Sequence, residues 1–356
     1  MTPADSQEKQ TIRSPMNEPT FISPFEPISA VDLAPFVPAE LGELSDPQRD
    51  LPRIAKDPGL MSHVEAALQE IPTTHHLHQG DAREMSFLPE GSVHLVVTSP
   101  PYWTLKEYHR EPGQLGWITG YDEFLGELDR VWRHCYRALV PGGRLICVVG
   151  DVCLSRRKNN GRHMVVPLHA SIQERCRTIG FDNLAPIIWY KIANVTHEVE
   201  NGSSFLGKPY EPNAVIKNDI EFILMQRKSG GYRKPTLAAR IMSLIASENH
   251  HAWFQQIWQG LTGASTRKHP APYPVELAQR LIRMFSFAGD TVLDPFMGTA
   301  TTQVAAARCG RNSLGVEVDP EYFKMAANRL QSETAGLFAT AKIRLTASEN
   351  RPNEES

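Results

Sequence analysis

The 356-residue chain lacks any apolar run long enough to cross a bilayer, and its N-terminus lacks the basic-then-apolar layout of a secretory leader. These two absences set the expectation of a cytoplasmic protein with no membrane contact. Its five cysteines, Cys135, Cys147, Cys153, Cys176 and Cys309, are odd in number and form no C-x-x-C pair. They read as reduced thiols, most of them in the core, rather than as a disulfide framework, and no zinc ligand pattern is present. Positive charge is not in excess: a net charge of -3 argues against a generally basic nucleic-acid binder, while a local basic face stays open. No repeat of solenoid period is visible.

What is present is an ordinary globular composition, 41% hydrophobic and 22% charged, enough for one large α/β domain with an inserted module or for two modest domains. Residues 1–45, rich in Pro, Ser, Glu and Asp, read as a loosely ordered tail. A short helix is expected from about Pro58 to Glu70, and the folded core from near His78. His75, His76 and His78 read as surface residues leading into a strand rather than as metal ligands, so no metal is expected. Ser92–Thr98 and Arg144–Val149 are apolar runs bounded by Gly or Pro, as buried parallel strands are. Between them, Asp122–Leu139 has helical apolar spacing. Alternation continues with a helix over Val166–Gly180 and strands over Ile187–Ile192 and Ile220–Gln226. After an irregular middle it resumes: helix Pro274–Phe287, strand Thr291–Asp294, helix Thr302–Cys309, strand Ser313–Val318 and helix Tyr322–Leu330. The pattern predicts a doubly wound, Rossmann-like α/β sheet carrying an inserted module.

Three segments carry chemistry. Asp294-Pro-Phe-Met-Gly-Thr-Ala-Thr-Thr302 follows a strand and opens a helix, and its small residues let the backbone approach a ligand. A plain strand–helix turn is the bland alternative. Gly315-Val-Glu-Val-Asp-Pro320 ends the next strand, and Glu317 stands about 20 positions after the glycine turn, where nucleoside-binding sheets hold ribose hydroxyls. Thr98-Ser-Pro-Pro-Tyr-Trp103 ends a buried strand; its two prolines fix an extended backbone beside a hydroxyl and an aromatic face. Such a segment suits a planar ring bearing an amine, although a simple Pro-Pro turn would look the same in isolation.

Taken together, in this order, the segments resemble the amino-methyltransferases of restriction-modification type, in the permuted group where the S-P-P-Y or D-P-P-Y segment precedes the cofactor segment. The resemblance runs from about His78 to Leu330. It includes Gly80-Asp81-Ala82, Pro141-Gly-Gly143 through Gly150-Asp151, and His269-Pro-Ala-Pro-Tyr-Pro-Val-Glu-Leu277. It departs at Ala300, where the family usually has a second glycine, and at Ala271-Pro272-Tyr273, where Thr-Gln-Lys is common.

The resemblance implies S-adenosylmethionine as cofactor, held by Asp81, Asp294, Phe296, Gly298, Thr299, Thr301 and Glu317. It implies a catalytic segment Ser99, Pro100, Pro101 and Tyr102, in which Ser99 and the Pro100 carbonyl accept the amine hydrogens and Tyr102 stacks on the ring. Trp103 and Trp189 are candidates for the other wall of the base pocket, Trp189 having a core role as the competing reading. Transfer would be direct, since no Pro-Cys pair is present to supply the thiolate of the ring-carbon methyltransferases. The substrate implied is double-stranded DNA with its target base flipped. Ser at the first catalytic position is commoner in this family with cytosine than with adenine. Phosphate contacts are expected from Arg156, Arg157 and Lys158, with Arg227-Lys228, Arg233-Lys234 and Arg267-Lys268 bracketing the same cleft. The domain reading is therefore a catalytic half at 46–228, a target-recognition segment at 229–268 with Asn249, His250, Gln255 and Gln256 available to read base edges, a cofactor half at 269–345 and a tail at 346–356. A restriction endonuclease acting on the same site would be the partner. The competing readings are an adenine-specific enzyme, an RNA or small-molecule methyltransferase, and a silent DNA-binding protein on the same fold.

Overall fold

The computed structural model describes residues 28–105, 108–191, 212, 216, 218–261, 263, 273–336 and 341–348. Its centre is a nine-stranded sheet built from β1 (Thr73–Gln79), β2 (Val93–Thr98), β3 (Leu139–Val149), β6 (Phe181–Tyr190), β7 (Ile220–Lys228), β8 (Ile257–Trp258), β9 (Thr291–Asp294), β10 (Asn312–Glu317) and β11 (Ala341–Ala347). The spatial order is β11-β1-β10-β9-β2-β3-β7-β6-β8. All run parallel except β7, which is antiparallel to both β3 and β6. A separate hairpin joins β4 (Val152–Leu154) to β5 (Met164–Val166).

The central strands read as unbroken apolar runs because both of their faces are covered. In β2, Val93 and Val96 enter one core cluster while Leu95 and Val97 enter another; in β3, Leu145, Cys147 and Val149 oppose Ile146 and Val148. The first cluster is closed by α3 (Tyr121–Ala138) and α4 (Leu168–Ile179), the second by α7 (Val275–Phe285) and α8 (Thr301–Arg308). Three helices share one start signal, an Asp N-cap followed by Pro: α1 (Pro47–Lys56), α2 (Pro58–Leu68) and α9 (Pro320–Thr334), where Asp46, Asp57 and Asp319 accept backbone N–H bonds of the first turn. The doubly wound, Rossmann-like reading is met.

Three expectations change. His75, His76 and His78 are buried within β1 rather than lying on the surface. The His75 ring is bonded to Thr73 Oγ1 at 2.9 Å and Ser313 Oγ at 2.8 Å, and burial lowers its pKa to about 3, so it is a neutral core group. Residues 28–45, read as tail, place Leu33 and Leu41 in core clusters with α1, α2, α5 (Leu237–Ile241) and Ala288. At the other end β11 reaches Ala347, two residues into the expected second tail, and Ser348 Oγ meets His78 Nε2 at 3.0 Å.

Candidate active site

Chain direction across the sheet reverses between β9 and β2: from β2 the order moves outward to β3, from β9 to β10. Crevices at such a switch point, outside the carboxyl ends of the strands, are where open α/β sheets bind ligands. Two of the segments singled out in the sequence meet there. Thr98 Oγ1 donates to Asp294 Oδ1 at 2.7 Å, the Phe296 N–H to the same oxygen at 3.1 Å, and Thr302 Oγ1 to Oδ2 at 2.7 Å. Tyr273 donates its hydroxyl to Oδ2 at 3.1 Å and is also bonded to Thr302. Burial pushes the Asp294 pKa up and these donors pull it back. Asp294, expected on the cofactor, is thus turned inward, and ties β2, β9, α8 and Tyr273, just ahead of α7, together beneath the crevice.

The cavity above is lined by Asp81, Ser99, Pro101, Tyr108, Gln114, Leu115, Phe296, Gly298, Glu317 and Tyr322, with Gly80, Ala82, Gly113, Pro295, Val316 and Val318. Of the expected cofactor residues, Asp81, Phe296, Gly298 and Glu317 therefore converge. Glu317 accepts the Gly298 N–H at 2.8 Å and the Asp319 N–H at 2.9 Å; burial nevertheless raises its pKa to about 7. Arg83 grips both oxygens of Asp81, with Nη2 to Oδ2 at 2.5 Å, and is braced by Glu127. A Cβ at Gly113, whose φ is +88°, would stand 2.7 Å from Asp81 Oδ2, so only glycine brings that loop so close.

Thr299 and Thr301 do not line the cavity; Arg329 Nη1 holds the Thr299 carbonyl at 3.0 Å and Thr301 Oγ1 at 3.1 Å. Ala300 between them takes a left-handed φ of 63° and is fully buried at the start of α8. This is the position where the family's glycine would sit without steric cost. The outer wall, Tyr108 to Leu115, carries no motif. It is fastened by His109 Nδ1 to Asp319 Oδ2 at 2.8 Å and by stacking of His109 on Tyr322.

In the S-P-P-Y segment Ser99 is half-buried and, with Pro101, faces the cavity. Tyr102 is only 5% exposed and does not line it. Its ring edge lies against Gly150, where a Cβ would meet Tyr102 Cε2 and Glu221 Cγ at 3.3 Å each. Trp103 has a left-handed φ of 48°, an uncommon conformation for an aromatic residue, and sets its ring edge-on to Tyr121 at 5.1 Å. Trp189 is fully buried and donates Nε1–H to the Leu261 carbonyl at 3.0 Å, so the core reading prevails for it.

Residues 93–328 match the family described as DNA methylase. The chain belongs to that family. It is 37% identical to the type II methyltransferase M.MjaI of Methanocaldococcus jannaschii, over 70% of this chain and 89% of that one. With M.MthZI of Methanothermobacter thermautotrophicus the identity is 34%, over 72% and 77%. The Thermus thermophilus protein TTHA0409, solved with S-adenosyl-L-methionine, is 52% identical with a TM-score of 0.64, covering 78% of this chain and all of that one. The cytosine-N4-specific PvuII DNA methyltransferase, at 18% identity and a TM-score of 0.50 over 77% of this chain and 97% of that one, shares the fold.

The methylase carries the two basic regions singled out in the sequence at opposite ends of the sheet. The β4–β5 hairpin leaves the sheet directly after Gly150 and Asp151, at the end that carries the cavity, with Arg156, Arg157 and Arg162 exposed near its tip; the side chain of Lys158 lies outside the described residues. The segment from Ser229 to Trp253 goes to the opposite end. Arg233 pairs with Asp290, just before β9 begins, at 2.7 and 2.5 Å, Lys228 Nζ caps the Leu139 carbonyl at 2.8 Å, and Ser243 Oγ accepts the Ala288 N–H at 2.8 Å. Asn249 and His250, on α6 (Ser247–Trp253), go with it, while Gln255 and Gln256 lie beside the edge strand β8. Arg267, Lys268 and His269–Pro272 lie outside the described residues. No group of three or more His, Cys, Asp or Glu that could hold a metal occurs among the described residues, and no helix there is long and apolar enough to cross a membrane.

Proposed function

We propose that the chain methylates the exocyclic amine of cytosine in duplex DNA, giving N4-methylcytosine, with S-adenosylmethionine as donor. The observation that carries the reading is that Ser99 and Pro101 line the same cavity as Asp81 and Glu317. The residues present fit the cofactor: a carboxylate at a strand end for ribose hydroxyls, a second carboxylate fixed by Arg83, and aromatic walls from Phe296, Tyr108 and Tyr322. When bound, the cofactor supplies an electrophilic methyl group on a sulfonium. Ser99 and the Pro100 carbonyl accept the amine hydrogens, which draws the nitrogen lone pair out of conjugation and aims it at that methyl. Proximity and fixed acceptors supply most of the acceleration, and the displaced proton leaves to water.

The order of segments, Ser99 before Asp294, is that of the permuted group, and Ser rather than Asp in the first position favours cytosine over adenine. Arg156, Arg157 and Lys158 track phosphates while the target base is flipped into the cavity. The likeness to type II methyltransferases favours a cytoplasmic modification enzyme paired with an endonuclease of the same recognition sequence.

The test is incubation with labelled cofactor and duplex DNA followed by nucleoside mass spectrometry. N4-methylcytosine is expected; N6-methyladenine would move the substrate to adenine, and no methylated base would favour a silent DNA-binding protein. Ser99→Ala should lower single-turnover methylation by about 10² to 10³, the usual cost of losing one preorganised acceptor of this kind.

A further inference from the structure

Beneath the cavity, Ser99 Oγ donates to Tyr102 Oη at 3.3 Å, and Tyr102 Oη donates to the carbonyl of Val148 at 3.4 Å. Both contacts are long for O–H···O bonds, as catalytic hydrogen bonds often are before substrate is in place. The direction of this chain is set by its far end. A carbonyl only accepts, so the single hydrogen of Tyr102 is spent on Val148; the tyrosine oxygen can then only accept from its neighbour, and the single hydrogen of Ser99 is spent on it. What Ser99 turns toward the cavity is lone pairs alone.

We propose that Tyr102 is a positioning residue whose hydroxyl, anchored on Val148, holds Ser99 Oγ as an obligate acceptor for the hydrogens of the target amine. An unanchored serine would spend part of its time pointing its own hydrogen at the amine nitrogen, tying up the lone pair that must attack. The surroundings preserve the arrangement. Tyr102 is buried, and Glu221, whose carboxylate pairs with Lys191 Nζ at 2.5 Å, packs against Gly150 together with the edge of the Tyr102 ring. Burial first and Glu221 second push the phenol pKa well up, so the hydroxyl keeps the hydrogen the chain depends on.

The inference rests on amine methylation by Ser99 and is indifferent to whether the base is cytosine or adenine. It is tested by Tyr102→Phe, which keeps the ring and removes only the hydroxyl, in the native and Ser99→Ala backgrounds. Single-turnover methylation is read beside cofactor affinity, the KM for DNA and the unfolding midpoint. Tyr102→Phe should slow the chemical step about tenfold in the native background, the size of one lost hydrogen bond, with KM and cofactor affinity unchanged. In the Ser99→Ala background, where no hydroxyl remains to be oriented, it should cost less than about twofold. A native rate for Tyr102→Phe would overturn the proposal, as would an equal loss in both backgrounds, which would mean that the hydroxyl acts without Ser99. Absence of any methylated base with the unaltered chain would instead remove the underlying function, so the two failures are told apart.

Discussion

Glu317 shows how a single side chain can make stability and ligand binding answer oppositely to pH. Burial raises its pKa to about 7 from the usual 4.5, although two backbone N–H groups support the ionised form. A carboxylate whose folded pKa lies above its unfolded one binds more protons folded than unfolded across the interval between them. From about pH 4.5 to 7 this group's contribution to stability therefore falls as pH rises. If Glu317 accepts the ribose hydroxyls as proposed, the ionised form is the stronger acceptor, and cofactor affinity should rise by about tenfold between pH 6 and 8, on either side of that pKa. Calorimetric titration of the cofactor across pH 6–8 checks this, and Glu317→Gln should flatten the dependence while weakening binding at pH 8. A native slope in Glu317→Gln would assign the titration to another group. At this scale Gly298, Phe296 and Glu317, singled out in the sequence, do line the cavity. It misplaced Asp294, because a motif carboxylate reads as a ligand contact until its oxygens are seen to be taken by Thr98, Thr302, Tyr273 and Phe296.

Among elements, legibility followed burial pattern. β2, β3, β7, β9 and β10 were readable because strands covered on both faces carry consecutive apolar residues at their centres. β1 was not, since it fills its interior positions with three histidines, His75 and His78 bonded to neighbouring hydroxyls and His76 Nε2 to Arg344. The two basic regions looked alike in sequence and differ only in where the sheet carries them, which gives them opposite expected behaviour. Replacing Arg156, Arg157 and Lys158 by alanine should weaken binding to every duplex alike and reduce the salt slope by about 2 to 3, because phosphate contacts release counterions without reading sequence. Loss confined to one preferred sequence would make the hairpin a reader of bases. Arg233→Met should leave that slope unchanged and instead cost about 1 to 3 kcal/mol of stability, since Asp290, 8% exposed at its side chain, would lose both of its charge-assisted bonds. A reduced salt slope in Arg233→Met, with stability intact, would put DNA at that end of the molecule.

At the scale of the whole molecule, the strands deliver ligand-facing residues to one end of the sheet and a structural layer to the other. That layer joins residues far apart in the chain: Leu33 packs with Leu68, Ile71, Met242 and Ala288, and Leu41 with Leu51, Ile54, Val64 and Ile241. Sequence patterning could not reveal it, because single leucines in a Pro- and Glu-rich stretch have no periodicity, and α1 carries Pro52 within it. The layer closes the ends of α7 and β9, through Arg283 to Glu65 and Ser243 to Ala288, and makes no contribution to the cavity lining. Deleting residues 1–45 should then separate folding from cofactor recognition. Exposing the sites of Leu33 and Leu41 forfeits the burial of two large side chains, about 3 kcal/mol or more, and should lower the unfolding midpoint by about 6 °C or more. Cofactor affinity, measured well below that midpoint, should stay within about twofold of the intact chain, since Asp81, Gly298 and Glu317 are held by other contacts. An unchanged midpoint would return these residues to the role of a tail. A midpoint and a cofactor affinity that fall together would mean that the lower layer governs the geometry of the site across the full length of the strands.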